Sequence, residues 1–144
     1  MDTTTTHRRP LTLPAATAGT AATHLRLGAL GEELAARHLV ADDDLTIVAR
    51  NWRLAAGELR GELDLLGHDP YDGTLVVCEV KTRRDAARFG GAACAVSPRK
   101  QAQIRALTAA FLRSTTGPHR QVRLDLIAID LAPTPVLTHL VAAL

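Results

Sequence analysis

The chain has 144 residues, a formal net charge of +2 and 47% hydrophobic residues, which is room for one folded domain with a real core. No apolar run approaches the roughly 20 residues that a bilayer span needs, so no membrane segment is expected. The near-neutral charge excludes a surface that is polyanion-binding as a whole, and Cys78 and Cys94 match neither a metal spacing nor a disulfide framework.

Residues 1–22, rich in Thr, Ala and Pro, read as a disordered tail, with a single domain over 23–144. No apolar h-region follows Arg8 and Arg9, so a cytoplasmic location is expected. Leu27, Leu30 and Leu34 fall near helical spacing, with Ala35 and Ala36 as good helix formers. They predict a helix over 23–40 with Thr23 as its N-cap. Asp42, Asp43 and Asp44 oppose the helix dipole at its C-terminal end. They read as a solvated turn rather than a metal site. Three strand-like segments follow: Leu45–Arg53, then Glu58 or Arg60 to Leu66, then Thr74–Thr82. The turn cluster "GHDPYDG" separates the last two, which makes the three an antiparallel meander. After Gly90 and Gly91 a second helix spans Pro98–Arg113, with Ser97 as N-cap and Ile104, Leu107, Ala110 and Phe111 as its apolar stripe. "QVRLDLIAID" is a fourth strand, and "VLTHLVAAL" reads as a terminal strand in preference to a helix. The expected fold is α/β, a mixed central sheet of four to five strands flanked by two helices.

The third predicted strand carries the chemistry. Alternation puts Val76, Cys78 and Val80 on one face and Leu75, Val77, Glu79 and Lys81 on the other. On the strand before it, the same rule turns Leu63 and Leu65 one way and Glu62 and Asp64 the other. A meander can then bring Asp64 beside Glu79, with Lys81 one pleat away. A surface ion pair would look identical on "EVK" alone. Two adjacent carboxylates repel unless a cation or proton separates them, and a hard divalent ion that also accepts a phosphate does so. No His or Cys joins the set, so Mg²⁺ or Mn²⁺ is expected rather than Zn²⁺.

The ordered pieces "LGALGEELAARHL", "ARNWR", "GELDLL", "CEVKTR", "RFGGAACAVSPRKQAQI" and "VRLDLIAI" resemble the YraN-type family of small bacterial proteins. More broadly, they resemble the PD-(D/E)XK, restriction-endonuclease-like nuclease superfamily. That resemblance implies Asp64 and Glu79 as metal-binding carboxylates, Lys81 as the catalytic lysine and Glu32 as an acidic residue brought from the first helix, with Glu33 the adjacent alternative. Lys100 resembles a basic residue facing the site, and Lys100 and Arg83 are the expected nucleic-acid contacts. DNA is expected more than RNA, branched or damaged by analogy with resolvase-like members. A binding module of the same fold with little activity is the alternative.

Other features are read as structural. Arg123 and Asp125 alternate onto one face and are expected to form an ion pair that serves the fold. Trp52 is expected in the core. His24, His38, His68, His119 and His139 show no ligand spacing and are assigned no chemistry.

Overall fold

The structure, a computed structural model, describes residues 4–13, 24–84 and 96–144. Its elements run β1 (Thr5–Pro10), α1 (His24–Ala41), β2 (Thr46–Ala56), β3 (Leu59–His68), β4 (Thr74–Arg83), α2 (Pro98–Ser114), β5 (Gln121–Asp130) and β6 (Val136–Val141). All six strands form one sheet in the order β1-β6-β5-β4-β3-β2. β4 and β5 are parallel, with α2 between them in the chain, and every other neighbouring pair is antiparallel.

The helices cover opposite faces. Leu34, Ala35, Ala36 and Leu39 of α1 bury against Leu65, Val76, Cys78, Ile127, Ile129 and Leu137. Ile104, Leu107 and Phe111 of α2 bury against Leu63, Leu66, Leu75 and Val77. Strand β4 is covered on both sides, which is why "TLVVC" reads as a continuous apolar run. Ser97 caps α2 as expected, accepting from the Lys100 N–H at 3.2 Å, with Pro98 in the first turn. Trp52 packs edge to face on Phe111, with centroids 5.5 Å apart, in the α2-side core. No described helix is long and apolar enough to cross a membrane. Thr23, Gly90, Gly91 and Cys94 lie outside the described residues.

Three expectations change. The sheet has six strands rather than four or five. Thr5–Pro10, expected within the tail, is an edge strand paired with β6, from Thr5 opposite Val141 to Pro10 opposite Val136. Its Thr-rich composition suits a strand as well as a loop, and only the exposed edge of β6 selects between them. Finally, Leu63 and Leu65 do not share a face. Leu63 joins the α2-side core and Leu65 the α1-side core. The alternation breaks at Asp64, opposite Asn51, which sits at φ +48°, a backbone region that Asn tolerates better than most residues.

Candidate carboxylate site

The break at Asp64 builds the site. The hydrogen-bonded register of β3 on β4 runs from His68 opposite Leu75 to Leu65 opposite Cys78 and stops there. Beyond it the Asp64 carboxylate accepts the Val80 N–H at 2.9 Å, in place of a strand-to-strand bond. The two strands part here, and side chains enter the gap.

Glu32, Glu62 and Asp64 converge, each offering a carboxylate oxygen within 4.8 Å of the others. Asn51 ties two of them together, donating to Glu32 at 2.9 Å and to Glu62 at 3.0 Å. Arg53 holds the other Glu62 oxygen at 2.6 Å. Glu32 arrives because α1 lies close over the sheet at Gly31, where an added Cβ would collide with the Thr82 side chain of β4. Its neighbour Glu33 points elsewhere and pairs with Arg37 at 3.1 Å and Arg50 at 2.7 Å. Of the two glutamates, Glu32 is the one whose carboxylate lies in the cluster. Of the two Gly-Glu-Leu copies, only the second reaches the cluster. Its Gly61, at φ +151°, lets the strand pass under α2, since a Cβ there would meet Gln103 and Leu107 within 3 Å.

Glu79 is buried on β4, and Lys100 of α2 approaches it to 3.6 Å. Lys81, two residues on, is half-buried, and among the described residues it forms no ion pair. Burial, followed by the charge of Glu79, pushes the Asp64 carboxyl up to about 7. Glu32 and Glu62 push the same way, and the Val80 N–H opposes them. The chain thus holds one carboxyl among three others, a strain that a divalent cation would relieve. The oxygen-only set at Glu32, Glu62 and Asp64 fits a hard ion such as Mg²⁺ or Mn²⁺.

The expected residues therefore divide. Glu32 and Asp64 meet in one cluster, and Lys100 touches Glu79 beside it. Glu79 touches it through its charge on Asp64, while the close oxygen triad takes Glu62 instead. Glu62 was legible as Asp64's neighbour two residues back. Asn51 had no signal beyond its place in "ARNWR". Arg83 lies apart in a bidentate pair with Asp130, at 2.8 and 3.2 Å, both side chains largely buried. Beside Lys100 a cavity of about 370 Å³ opens, lined by Glu58, Arg60, Ser97, Arg99 and Gln103.

Residues 31–129 match the family model described as uncharacterised protein family UPF0102. The chain belongs to this family. A UPF0102 protein of Acidothermus cellulolyticus is 47% identical over 122 residues, covering 78% of this chain and 86% of its own. One from Mycolicibacterium smegmatis is 42% identical over 120 residues, 82% of this chain and 92% of its own. A third, from Nocardia farcinica, is 45% identical over 118 residues, 81% and 87% of the two chains. The matched span of this UPF0102 member runs from α1 to the end of β5, so it contains every residue of the carboxylate site. It stops short of β6.

Proposed function

We propose that this protein is a divalent-metal-dependent nuclease with a restriction-endonuclease-like arrangement, hydrolysing phosphodiester bonds in nucleic acid, DNA rather than RNA. The observation that carries the reading is the convergence of Glu32, Glu62 and Asp64 where β3 parts from β4, with Glu79, Lys81 and Lys100 alongside. Asp64, Glu32 and Glu62 would hold Mg²⁺ or Mn²⁺, and Glu79 would add to the field that draws it. Bound there, the ion supplies Lewis-acid polarisation of a phosphoryl oxygen and a more acidic water.

The chain's own groups do the rest. Asn51 and Arg53 orient Glu62, and Asn51 orients Glu32. The Val80 N–H fixes the Asp64 carboxylate. Lys81, on the Glu79 face of β4, is the ammonium available to meet charge that develops on the phosphate in the transition state. Arg60, Arg99 and Lys100 around the adjacent cavity supply positive charge for a phosphate backbone. Lys100 also holds Glu79.

A panel of single-stranded, duplex, flapped and four-way DNA, and RNA, incubated with Mg²⁺ or Mn²⁺ beside Asp64→Asn, tests the proposal. Cleavage of at least one DNA by the wild type, lost in the variant, is expected. Equal cleavage by both proteins would overturn it. Binding without cleavage would favour the second reading, a binding module of the same fold. The Glu79–Lys100 contact favours that reading, because it gives Glu79 a partner other than a metal.

A further inference from the structure

A second polar cluster lies where the C-terminal end of α1 meets β6, built from residues of no part in the carboxylate site. His38 Nε2 and His139 Nδ1 face each other at 3.0 Å, and both rings are buried. Each ring's other nitrogen rests on a carboxylate: His38 Nδ1 on Asp42 at 2.8 Å, and His139 Nε2 on Asp125 at 2.8 Å. Ionised carboxylates only accept, so each of those far nitrogens carries the ring proton. With both rings neutral, the two facing nitrogens are lone pairs. At 3.0 Å, away from water, that contact is repulsive unless a cation lies between them. A third donor points at the same place, with Asp43 Oδ2 3.4 Å from His139 Nδ1.

The geometry points to a binding site for a borderline divalent cation of the zinc class, ligated by His38 Nε2, His139 Nδ1 and Asp43. Two nitrogens on one tetrahedral Zn²⁺, with Zn–N of about 2.0–2.1 Å, lie roughly 3.3 Å apart. The two nitrogens lie 3.0 Å apart, and the Asp43 oxygen lies 3.4 Å from His139 Nδ1, a ligand-to-ligand spacing of the same order. The imidazole–carboxylate mixture selects Zn²⁺, or Co²⁺ as its spectroscopic substitute, over Mg²⁺. Asp42 and Asp125 fix the tautomer and tilt of the two rings, the arrangement that metal-bound histidines use. Both carboxylates are held in turn. Arg9 binds Asp42 at 3.0 Å, and Arg123 and the Ala142 N–H bind Asp125 at 2.9 Å each. Of the three ligands, Asp43 lines a cavity of about 270 Å³, with His7 and Arg123 in the same wall, and a water would be the fourth ligand. The ion would clamp the end of α1 to β6, joining positions 101 apart in sequence.

The test uses the full chain, stripped with a chelator and titrated with Zn²⁺ by calorimetry and with Co²⁺ by visible absorption. One equivalent of Zn²⁺ should bind, raising Tm, and Co²⁺ should give the visible bands of a four-coordinate site. His38→Gln should abolish the equivalent. Asp43→Asn, at a side chain 25% exposed and so tolerant of exchange, should weaken it about 100-fold or more. Asp42→Asn should weaken it about 10–100-fold through ring orientation. The Asp64→Asn/Glu62→Gln double variant should bind Zn²⁺ as the wild type does, which keeps this site independent of the nuclease reading. Zn²⁺ binding lost in that double variant but kept in Asp43→Asn would overturn the proposal. So would the absence of any Zn²⁺ equivalent in the wild type, in which case a shared proton links the two rings.

Discussion

The two polar clusters balance their charge in opposite ways. In the carboxylate site Glu32, Glu62 and Asp64 converge, Glu79 acts on Asp64 through its charge, and the cations at hand touch only the periphery: Arg53 on Glu62 and Lys100 on Glu79. Burial first, and then the like charge of Glu79, hold Asp64 up near 7. In the histidine cluster every carboxylate has a close partner. Burial pushes the Asp125 carboxyl up, yet hydrogen bonds from His139, Arg123 and the Ala142 N–H outweigh it and hold Asp125 below the usual range. Burial, ahead of the bond to Asp42, lowers His38 and favours its neutral ring. The contrast teaches that the first cluster gathers carboxylates whose mutual repulsion an incoming cation can relieve, whereas in the second the carboxylates face basic groups and it is the two facing imidazole nitrogens that are left to be bridged.

The largest effect expected concerns the carboxylate site alone. If Lys81 acts on the transition state, Lys81→Ala should lower cleavage on the order of 100-fold or more while leaving nucleic-acid affinity nearly intact. Single-turnover rates beside a binding isotherm separate the two. A variant that cleaves at the wild-type rate would remove Lys81 from the mechanism. Arginine should not restore the rate fully, because its delocalised fork is not a compact ammonium.

The next effect is on stability and belongs to the other cluster. His139→Leu removes a fully buried partner of Asp125 and should destabilise the metal-free protein by about 3 kcal/mol in urea. Asp64→Asn should do the reverse at alkaline pH. The folded carboxyl titrates near 7 against an ordinary value of 3.8, so between these values the native state holds more protons than the unfolded state. Stability therefore falls as pH rises through that window. The penalty is absent below about 4 and complete above about 7. Asn keeps an oxygen for the Val80 N–H and removes the charge. The variant should be more stable by about 1–2 kcal/mol at pH 8, after discounting for solvent screening, and equal to the wild type at pH 4. A pH-independent difference would mean that the carboxylates are not repelling one another. For the same reason Mn²⁺ affinity in the wild type should rise with pH across 7, because the Asp64 proton must leave first.

The smallest effect is a control for both regions. Arg37→Ala deletes an exposed i,i+4 partner of Glu33 and should change stability by less than about 0.5 kcal/mol and cleavage not at all. A large loss there would show that Glu33 shares the work assigned to Glu32.

Much of this molecule was legible in one dimension. The apolar periodicity of Leu34, Ile104, Leu107 and Phe111 located the helices, and Ser97-Pro98 placed the start of α2 to the residue. The meander and the face shared by Leu75, Val77 and Glu79 followed from period-two alternation. The ion pair of Arg123 with Asp125 followed from the same rule, and its bidentate contact is present at 2.9 Å. Alternation then misled at Leu63 and Leu65, because it assumes an unbroken pleat. The backbone of Asn51 and the parting of β3 from β4 break the pleat at Asp64. The Asp42–Asp44 run, expected as a solvated turn, places two of its carboxylates on buried imidazoles.

Composition, periodicity and short motifs by themselves determined the α/β class, the two helices, the central strands, and Asp64, Glu79 and Lys81 as residues to watch. Those signals depend on spacings of two to four residues, which local backbone geometry enforces. Only the tertiary structure decided that Thr5–Pro10 is a strand, that Glu32 and not Glu33 joins Glu62, and that His38 meets His139. Each of these depends on which strand edges pair and where a helix crosses them. The energy that selects such partners comes from burying distant surfaces together, and a chain read residue by residue carries no period that reports it.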